Sequence, residues 1–117
     1  MGLGDGTVSK MLALNEVQAD WNMVADYTFR AEILPEADGS VTIALDEIEL
    51  AENGTDTNDA LQKLACAILE YSEDFYKDFA YWAKGSKLAH IPYVFKALML
   101  NDTEKIKGSI TCRHGRT

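Results

Sequence analysis

Clustered carboxylates are the residues of this chain whose spacing best fits metal chemistry. Asp46, Glu47, Glu49 and Glu52 lie close together in sequence. Hard cations bind clustered oxygen ligands, so a metal-dependent nuclease of ribonuclease-H-like type could act through Asp46, Glu47 and Glu49. No distant acidic residue is placed by the sequence to complete such a site, and charges on an exposed strand also prevent edge-to-edge aggregation. A solvated acidic edge is the favoured interpretation, with no metal and no cofactor.

The histidines and cysteines form no recognisable catalytic or metal-binding motif. Cys112 and His114 are only two ligands, too few for a zinc site. Cys66 stands between two alanines and has no histidine nearby in sequence, which predicts a small packed residue rather than a nucleophile. His90 precedes Pro92 and is expected to be structural or interfacial. The chain is therefore predicted not to be an enzyme, and two cysteines without a disulfide framework favour the cytoplasm.

Aromatic residues at the end of a long helical pattern are the strongest interaction signal: Phe75, Tyr76, Phe79, Tyr81 and Trp82. Phe75, Phe79 and Trp82 share one helical face, whereas Tyr81 falls outside it. Such side chains anchor interfaces, although they can also form a core with aromatic residues further along the chain. A homodimer would reconcile the two interpretations. The predicted partner-binding residues are Phe75, Phe79, Tyr81, Trp82, His90, Tyr93 and Phe95.

Periodicity predicts the first elements that position these residues. A capping box at residues 15–18 begins a helix that runs to about residue 26. Alternating apolar residues over 27–34 and 40–45 flank Asp38-Gly39, a turn signal that predicts a β-hairpin. A turn and a short third strand, closed at Asn53-Gly54, should follow.

A long amphipathic helix is predicted next, from about residue 57 to Gly85, where glycine is favoured just past a helix end. Pro92 suits the first turn of a short helix, and residues 109–112 are typical of a last strand. The predicted class is α+β, with a small antiparallel sheet of three to four strands packed against one long helix, plus short N-terminal and C-terminal helices. The predicted divisions are a flexible leader or cloning remnant (1–10) and one domain (11–117), comprising a helix (11–26), a hairpin-strand-helix core (27–84) and an extension (85–117).

Charge and composition limit the classes of partner. The 117 residues carry 11 Lys and Arg against 19 Asp and Glu, a formal net charge of -8. This balance disfavours nucleic acid and fits a basic protein partner. No apolar run approaches the roughly 20 residues of a membrane span, and the N-terminus has no secretory pattern. A soluble, globular protein is expected.

The order hairpin, short strand and capped helix, carried by residues 38–42, 52–54, Thr57 and 60–65, resembles the HicB-like antitoxin domain. Residues 14–24 are similar to the opening helix of Phd/YefM-type antitoxins. Together with residues 68–76 and 90–98, the pattern resembles a bacterial type II antitoxin family of RelB/Phd character, from about Met11 to the end.

This resemblance implies an antitoxin-like protein that binds and neutralises a cognate ribonuclease toxin, expected to be basic, and that forms a homodimer. In Phd-like proteins the first helix leads into a strand and a second helix that complete a dimeric DNA-binding unit. Here Asp26 runs straight into the hairpin strand, so operator binding by this chain alone is not expected. The metal-dependent nuclease and a stand-alone interaction module are the alternatives.

Overall fold

A computed structural model describes residues 27–114. The predicted helix over residues 11–26 lies outside this range. The described part contains four strands, four α-helices and two short 3₁₀ helices in an α+β arrangement. In chain order they are β1 (Phe29–Pro35), β2 (Val41–Leu45), the first 3₁₀ helix (Asp46–Ile48), β3 (Leu50–Gly54), α1 (Thr57–Lys77), α2 (Phe79–Trp82), the second 3₁₀ helix (Gly85–His90), α3 (Ile91–Leu100), α4 (Thr103–Ser109) and β4 (Ile110–His114).

The β1–β2 hairpin forms as predicted. The strands pair antiparallel, with Ile33 opposite Ile43. Gly39 has φ +90°, a conformation that glycine adopts without steric cost. The Asp38 carboxylate accepts hydrogen bonds from the Ser40 N–H at 2.9 Å and the Ser40 hydroxyl at 2.6 Å, which fixes the turn from its own side chains.

The sheet is mixed, so the prediction of an antiparallel sheet is wrong for its last strand. The strand order is β3-β2-β1-β4, and β4 pairs parallel to β1 with Phe29 opposite Ile110. Parallel neighbours need a crossover connection, and the helices between β3 and β4 supply it. The strand over 109–112 was predicted correctly, but its direction depends on that long-range connection.

Helix α1 covers the sheet, as the predicted amphipathic stripe requires. Its N-cap is Asp56, whose carboxylate accepts from the Asp59 N–H at 2.8 Å. Thr57, which carries the cap in the HicB-like resemblance, is instead the first helical residue. The core between helices and sheet consists of Phe29, Ala31, Ile43, Leu45, Ile48, Ala60, Leu64, Ala65, Ile68, Ala97 and Ile106.

The long helix ends earlier than predicted. The sequence favours a continuous helix as far as Gly85, but α1 ends at Lys77, and Asp78 leaves helical geometry with φ -127° and ψ 58°. The one-turn helix α2 follows. Helix α3 has Pro92 in its first turn as predicted. No helix among residues 27–114 is long and apolar enough to cross a membrane.

Candidate partner-binding surface

A cluster of aromatic rings joins the end of α1 to α2 and α3. The ring of fully buried Phe75 lies 5.8 Å from Tyr71 and 5.9 Å from Phe79, both edge-on, and 6.3 Å from Trp82 in a stacked arrangement. Phe79 also stacks on Phe95 of α3 at 6.4 Å. Such ring pairs stabilise packing beyond the area they bury. The cluster therefore holds three helices together at one end of the domain.

The break at Asp78 determines which aromatic side chains face outward. The Asp78 carbonyl accepts hydrogen bonds from the N–H groups of Tyr81 and Trp82, at 3.0 and 3.1 Å. This closes one turn of helix and brings Trp82 back onto Phe75. Tyr81 remains 59% exposed, with Lys84 Nζ 5.1 Å from its ring centre, a favourable cation–π distance.

Large apolar side chains are exposed mainly in the segment of the sequence that carries this cluster and directly follows it. Of the five such side chains in residues 27–114, only Tyr27 lies elsewhere in the sequence. The other four lie between positions 76 and 88, and we call them the apolar rim. They are Tyr76 (63% exposed), Phe79 (40%), Tyr81 (59%) and Leu88 (53%).

The residues predicted to bind a partner are distributed unevenly over this region. Phe79 and Tyr81 belong to the rim, whereas Phe75 and His90 are buried. Trp82, Phe95 and Tyr93 are half-buried. The structure brings Phe75, Phe79, Trp82 and Phe95 together in the ring cluster.

Tyr93 lies apart from the ring cluster. Its ring meets Tyr27 edge-on at 5.4 Å and lies 6.1 Å from Phe29 of β1. Two rim residues, Tyr76 and Leu88, were not among the predicted partner-binding residues. Tyr76 follows Phe75 on a helix, so it points about 100° away from the buried face. Leu88 lies in a 3₁₀ helix and has no periodic signal.

A polar network centred on buried His90 joins three elements of the fold. The Tyr71 hydroxyl lies 2.7 Å from His90 Nδ1, and His90 Nε2 lies 3.3 Å from Glu49 Oε2. Lys87 Nζ donates to the same Glu49 oxygen at 3.1 Å. Glu49 has φ +56°, an uncommon conformation for a residue with a side chain. These polar contacts thus connect the turn before β3 to α1 and to the second 3₁₀ helix.

The protonation states of His90 and Tyr71 follow from their surroundings. Burial, followed by the positive charge of Lys87, lowers the pKa of His90, while Glu49 opposes the change. Burial raises the pKa of Tyr71, so its hydroxyl keeps its proton and donates to Nδ1. A neutral imidazole then carries its hydrogen on Nε2 and donates it to Glu49. Both ring nitrogens are occupied, and His90 is only 3% exposed, which indicates a structural role.

Comparison with known proteins identifies the family of this chain. Residues 8–112 match a protein family described as the antitoxin of RelE/RelB toxin–antitoxin systems. The chain belongs to this antitoxin family. A solved structure from Syntrophomonas wolfei subsp. wolfei, described as the antitoxin part of a proposed toxin–antitoxin system, is similar with a TM-score of 0.75 and 27% sequence identity, over 85% of this chain and 72% of that chain. No curated protein matches.

Membership in this antitoxin family refines the resemblance seen in the sequence. The antitoxin assignment is confirmed, whereas the HicB-like domain is not. The family implies a cognate toxin as partner and a regulatory role.

The four acidic residues considered for a metal site lie in different surroundings in this antitoxin. Asp46 and Glu47 lie in the first 3₁₀ helix, and Glu49 binds Lys87 and His90. Glu52 lines a shallow groove of about 270 Å³ beside α1, formed with Gln62, Lys63, Cys66, Ala67 and Glu70. Residues 27–114 contain no group of three or more His, Cys, Asp or Glu that could hold a metal ion.

Cys66 is exposed in the antitoxin, so the prediction of a small packed residue at this position is wrong. The helix turns Ala65 into the core and Cys66 to the surface of α1. Adjacent helical positions differ by about 100° in direction. Because the residues on both sides of Cys66 are also small and apolar, the sequence did not show which of these positions faces the sheet.

Proposed function

We propose that this antitoxin neutralises a cognate ribonuclease toxin by covering its active surface, with the apolar rim as the anchor. The observation that supports the proposal is the concentration of exposed large apolar side chains between positions 76 and 88. Exposed apolar patches mark interaction sites. Tyr and Trp side chains in particular dominate the energetics of protein interfaces.

The ring cluster beneath the rim supports this role. Phe79 is held by Phe75 and Phe95, and Tyr81 packs edge-on against Trp82 at 5.3 Å. Side chains that are already ordered lose less conformational entropy on binding, which raises affinity. In the proposal, the predicted residues Phe75, Trp82 and Phe95 therefore act by positioning the rim. Buried His90 fixes the adjacent 3₁₀ helix in the same way.

We propose that the net charge of the antitoxin attracts the toxin at long range, whereas the apolar rim makes the direct contact. The chain carries a net charge of -8, which would speed encounter with a basic toxin at low ionic strength. Between positions 76 and 88 the chain carries Lys77, Lys84 and Lys87 and one acidic residue, Asp78. Glu73 and Asp74 directly precede this segment, and Glu49 pairs with Lys87. Contact at the rim is therefore proposed to be apolar, with long-range attraction coming from the rest of the surface. Residues 11–117 are proposed to act as one unit.

Co-expression with the toxin encoded by the adjacent gene tests the proposal. Tyr76→Ala combined with Tyr81→Ala should reduce co-purification of the toxin at least about tenfold and abolish growth rescue, because interface aromatics commonly contribute about 2 kcal/mol or more. Tyr27→Ala is the control, since Tyr27 is an exposed tyrosine (42%) that lies outside the rim. Equal toxin binding by the two variants would contradict the proposed anchor.

RNA cleavage by the purified toxin tests the ribonuclease part of the proposal separately. The intact antitoxin should inhibit cleavage in proportion to complex formation, and the rim variant should not. If the free toxin cleaves no RNA but still binds the antitoxin, the proposal that the toxin is a ribonuclease is wrong. The proposal that the apolar rim is the anchor would still stand.

A further inference from the structure

The two edges of the sheet differ in how they are protected. An edge strand presents unpaired backbone groups that can pair with another chain. At the β3 edge, Lys63 Nζ donates to the Asn53 carbonyl at 3.3 Å and is itself held by Asp59 at 3.3 Å. A side chain thus occupies a backbone acceptor of β3, and Glu52 adds a negative charge to the strand. Both features oppose pairing at this edge.

The β4 edge has no such protection in the described part of the chain. Thr111, Cys112, Arg113 and His114 are exposed, and only β1 pairs with β4 among the described strands. The strand contains no proline. The charge of Arg113 is balanced within the molecule, because its guanidinium lies 3.2 Å from Glu32 Oε1. Among residues 27–114 no strand other than β1 pairs with β4, so its outer edge can accept a further strand.

We propose that a second copy of this chain pairs antiparallel with β4 through the same edge, about a two-fold axis at Cys112. Full overlap of the five-residue strand Ile110–His114 with its own antiparallel copy places Cys112 opposite Cys112 of the second copy. Thr111 then lies opposite Arg113 of the second copy, and Ile110 opposite His114. The two four-stranded sheets become one continuous sheet.

Two arguments favour a second copy of this chain as the strand that pairs with β4: the charges of the opposed residues, and the symmetry of the contact. The pairing places no two like charges directly opposite each other, and like charges at that position destabilise a sheet. An isologous contact uses the same surface on both copies and closes after two. The protected β3 edges then form the two ends of the joined sheet, so growth stops at a dimer. Pairing at β4 is independent of toxin binding, since the apolar rim lies on α1, α2 and the second 3₁₀ helix.

Disulfide trapping of the full chain tests the register. Directly opposed residues of antiparallel strands have Cα atoms about 4.5–5.5 Å apart, within the range that a disulfide spans. Mild oxidation of Cys66→Ser should therefore yield a covalent dimer through Cys112. Cys112→Ser, which retains the likewise exposed Cys66, should stay monomeric on a denaturing gel. Crosslinking through Cys66, or through neither cysteine, overturns the proposed register.

Charge variants at Thr111 test the pairing without oxidation. Thr111→Lys places two like-charge pairs across the axis and should weaken dimerisation about tenfold in sedimentation analysis. Thr111→Glu faces Arg113 of the second copy and should strengthen it. Both variants lose the same 3.3 Å hydrogen bond from Thr111 to the Phe29 carbonyl, so they are matched. A monomer at all concentrations, a dimer indifferent to both changes, or an edge that binds only the toxin overturns the proposal.

Discussion

Gly54 lies so close to Ala60 that no side chain fits between them. A Cβ atom on Gly54 would stand 2.4 Å from the Ala60 nitrogen and 2.8 Å from its Cα. Those atoms are backbone and cannot rotate away. The close approach lets the start of α1 pack directly on the end of β3.

Substitution of this glycine should therefore destabilise the fold. Gly54→Ala is expected to lower the free energy of unfolding by about 2–3 kcal/mol, because the backbone must shift to relieve the overlap. Gly108→Ala is the control: a Cβ atom on Gly108 of α4 would meet no atom within 4 Å, so alanine should stabilise the helix by up to about 1 kcal/mol. Urea unfolding of both variants measures the difference, and a Gly54→Ala variant as stable as the parent would refute the close contact.

Phe75 and Tyr76 are neighbours in sequence with opposite environments. Phe75→Ala should cost about 3–5 kcal/mol, because it removes a fully buried ring. Tyr76→Ala should change stability by no more than about 0.5 kcal/mol, since Tyr76 is 63% exposed. Thermal unfolding of the two variants separates core from surface. Similar losses at both positions would show that Tyr76 is covered in the free protein.

The lowered pKa of His90 predicts a pH dependence of stability. Below its ordinary value of 6.5, the unfolded chain binds a proton that the folded chain does not, so the free energy of unfolding falls as the pH drops through this range. Unfolding of His90→Gln should depend less on pH between about 7.5 and 5, although this variant is less stable at the upper end of that interval. His114→Gln, at an exposed position, is the control for the removal of a histidine as such. A parent protein whose stability is flat over this interval would contradict the buried neutral imidazole.

Asp56 should cap α1. Asp56→Ala is expected to cost about 1 kcal/mol, because the Asp59 N–H loses its acceptor. Thr57→Ala tests the neighbouring residue and should have a smaller effect. Chemical denaturation measures the free energy of unfolding of both variants. A larger loss for Thr57→Ala than for Asp56→Ala would show that Thr57, and not Asp56, is the N-cap.

Local signals predicted most of the secondary structure. The Asp38-Gly39 turn, the apolar stripe of α1 and Pro92 at the start of α3 depend on interactions between near neighbours, and each was predicted correctly. The break at Asp78 was not predicted, because it accompanies ring contacts with Phe75 and with Phe95 of a later helix.

The candidate surface was harder to predict from sequence than the fold. Aromatic residues near the end of α1 were correctly placed in one region, but periodicity alone did not separate buried Phe75 from exposed Tyr76. The pairing of Glu49 with His90 joins positions 41 residues apart (90 minus 49), and no local pattern encodes it. The direction of β4 depends equally on the path of the whole chain.

The parallel pairing of β4 with β1 has a consequence for folding. Phe29 and Ile110 are 81 positions apart (110 minus 29), so β1 gains its second neighbour only after the four intervening helices have been laid down. Contacts of such large sequence separation slow folding. A nascent antitoxin would therefore carry β1 as an open edge until β4 has been synthesised, and during that interval it is most vulnerable to proteases and to misassembly.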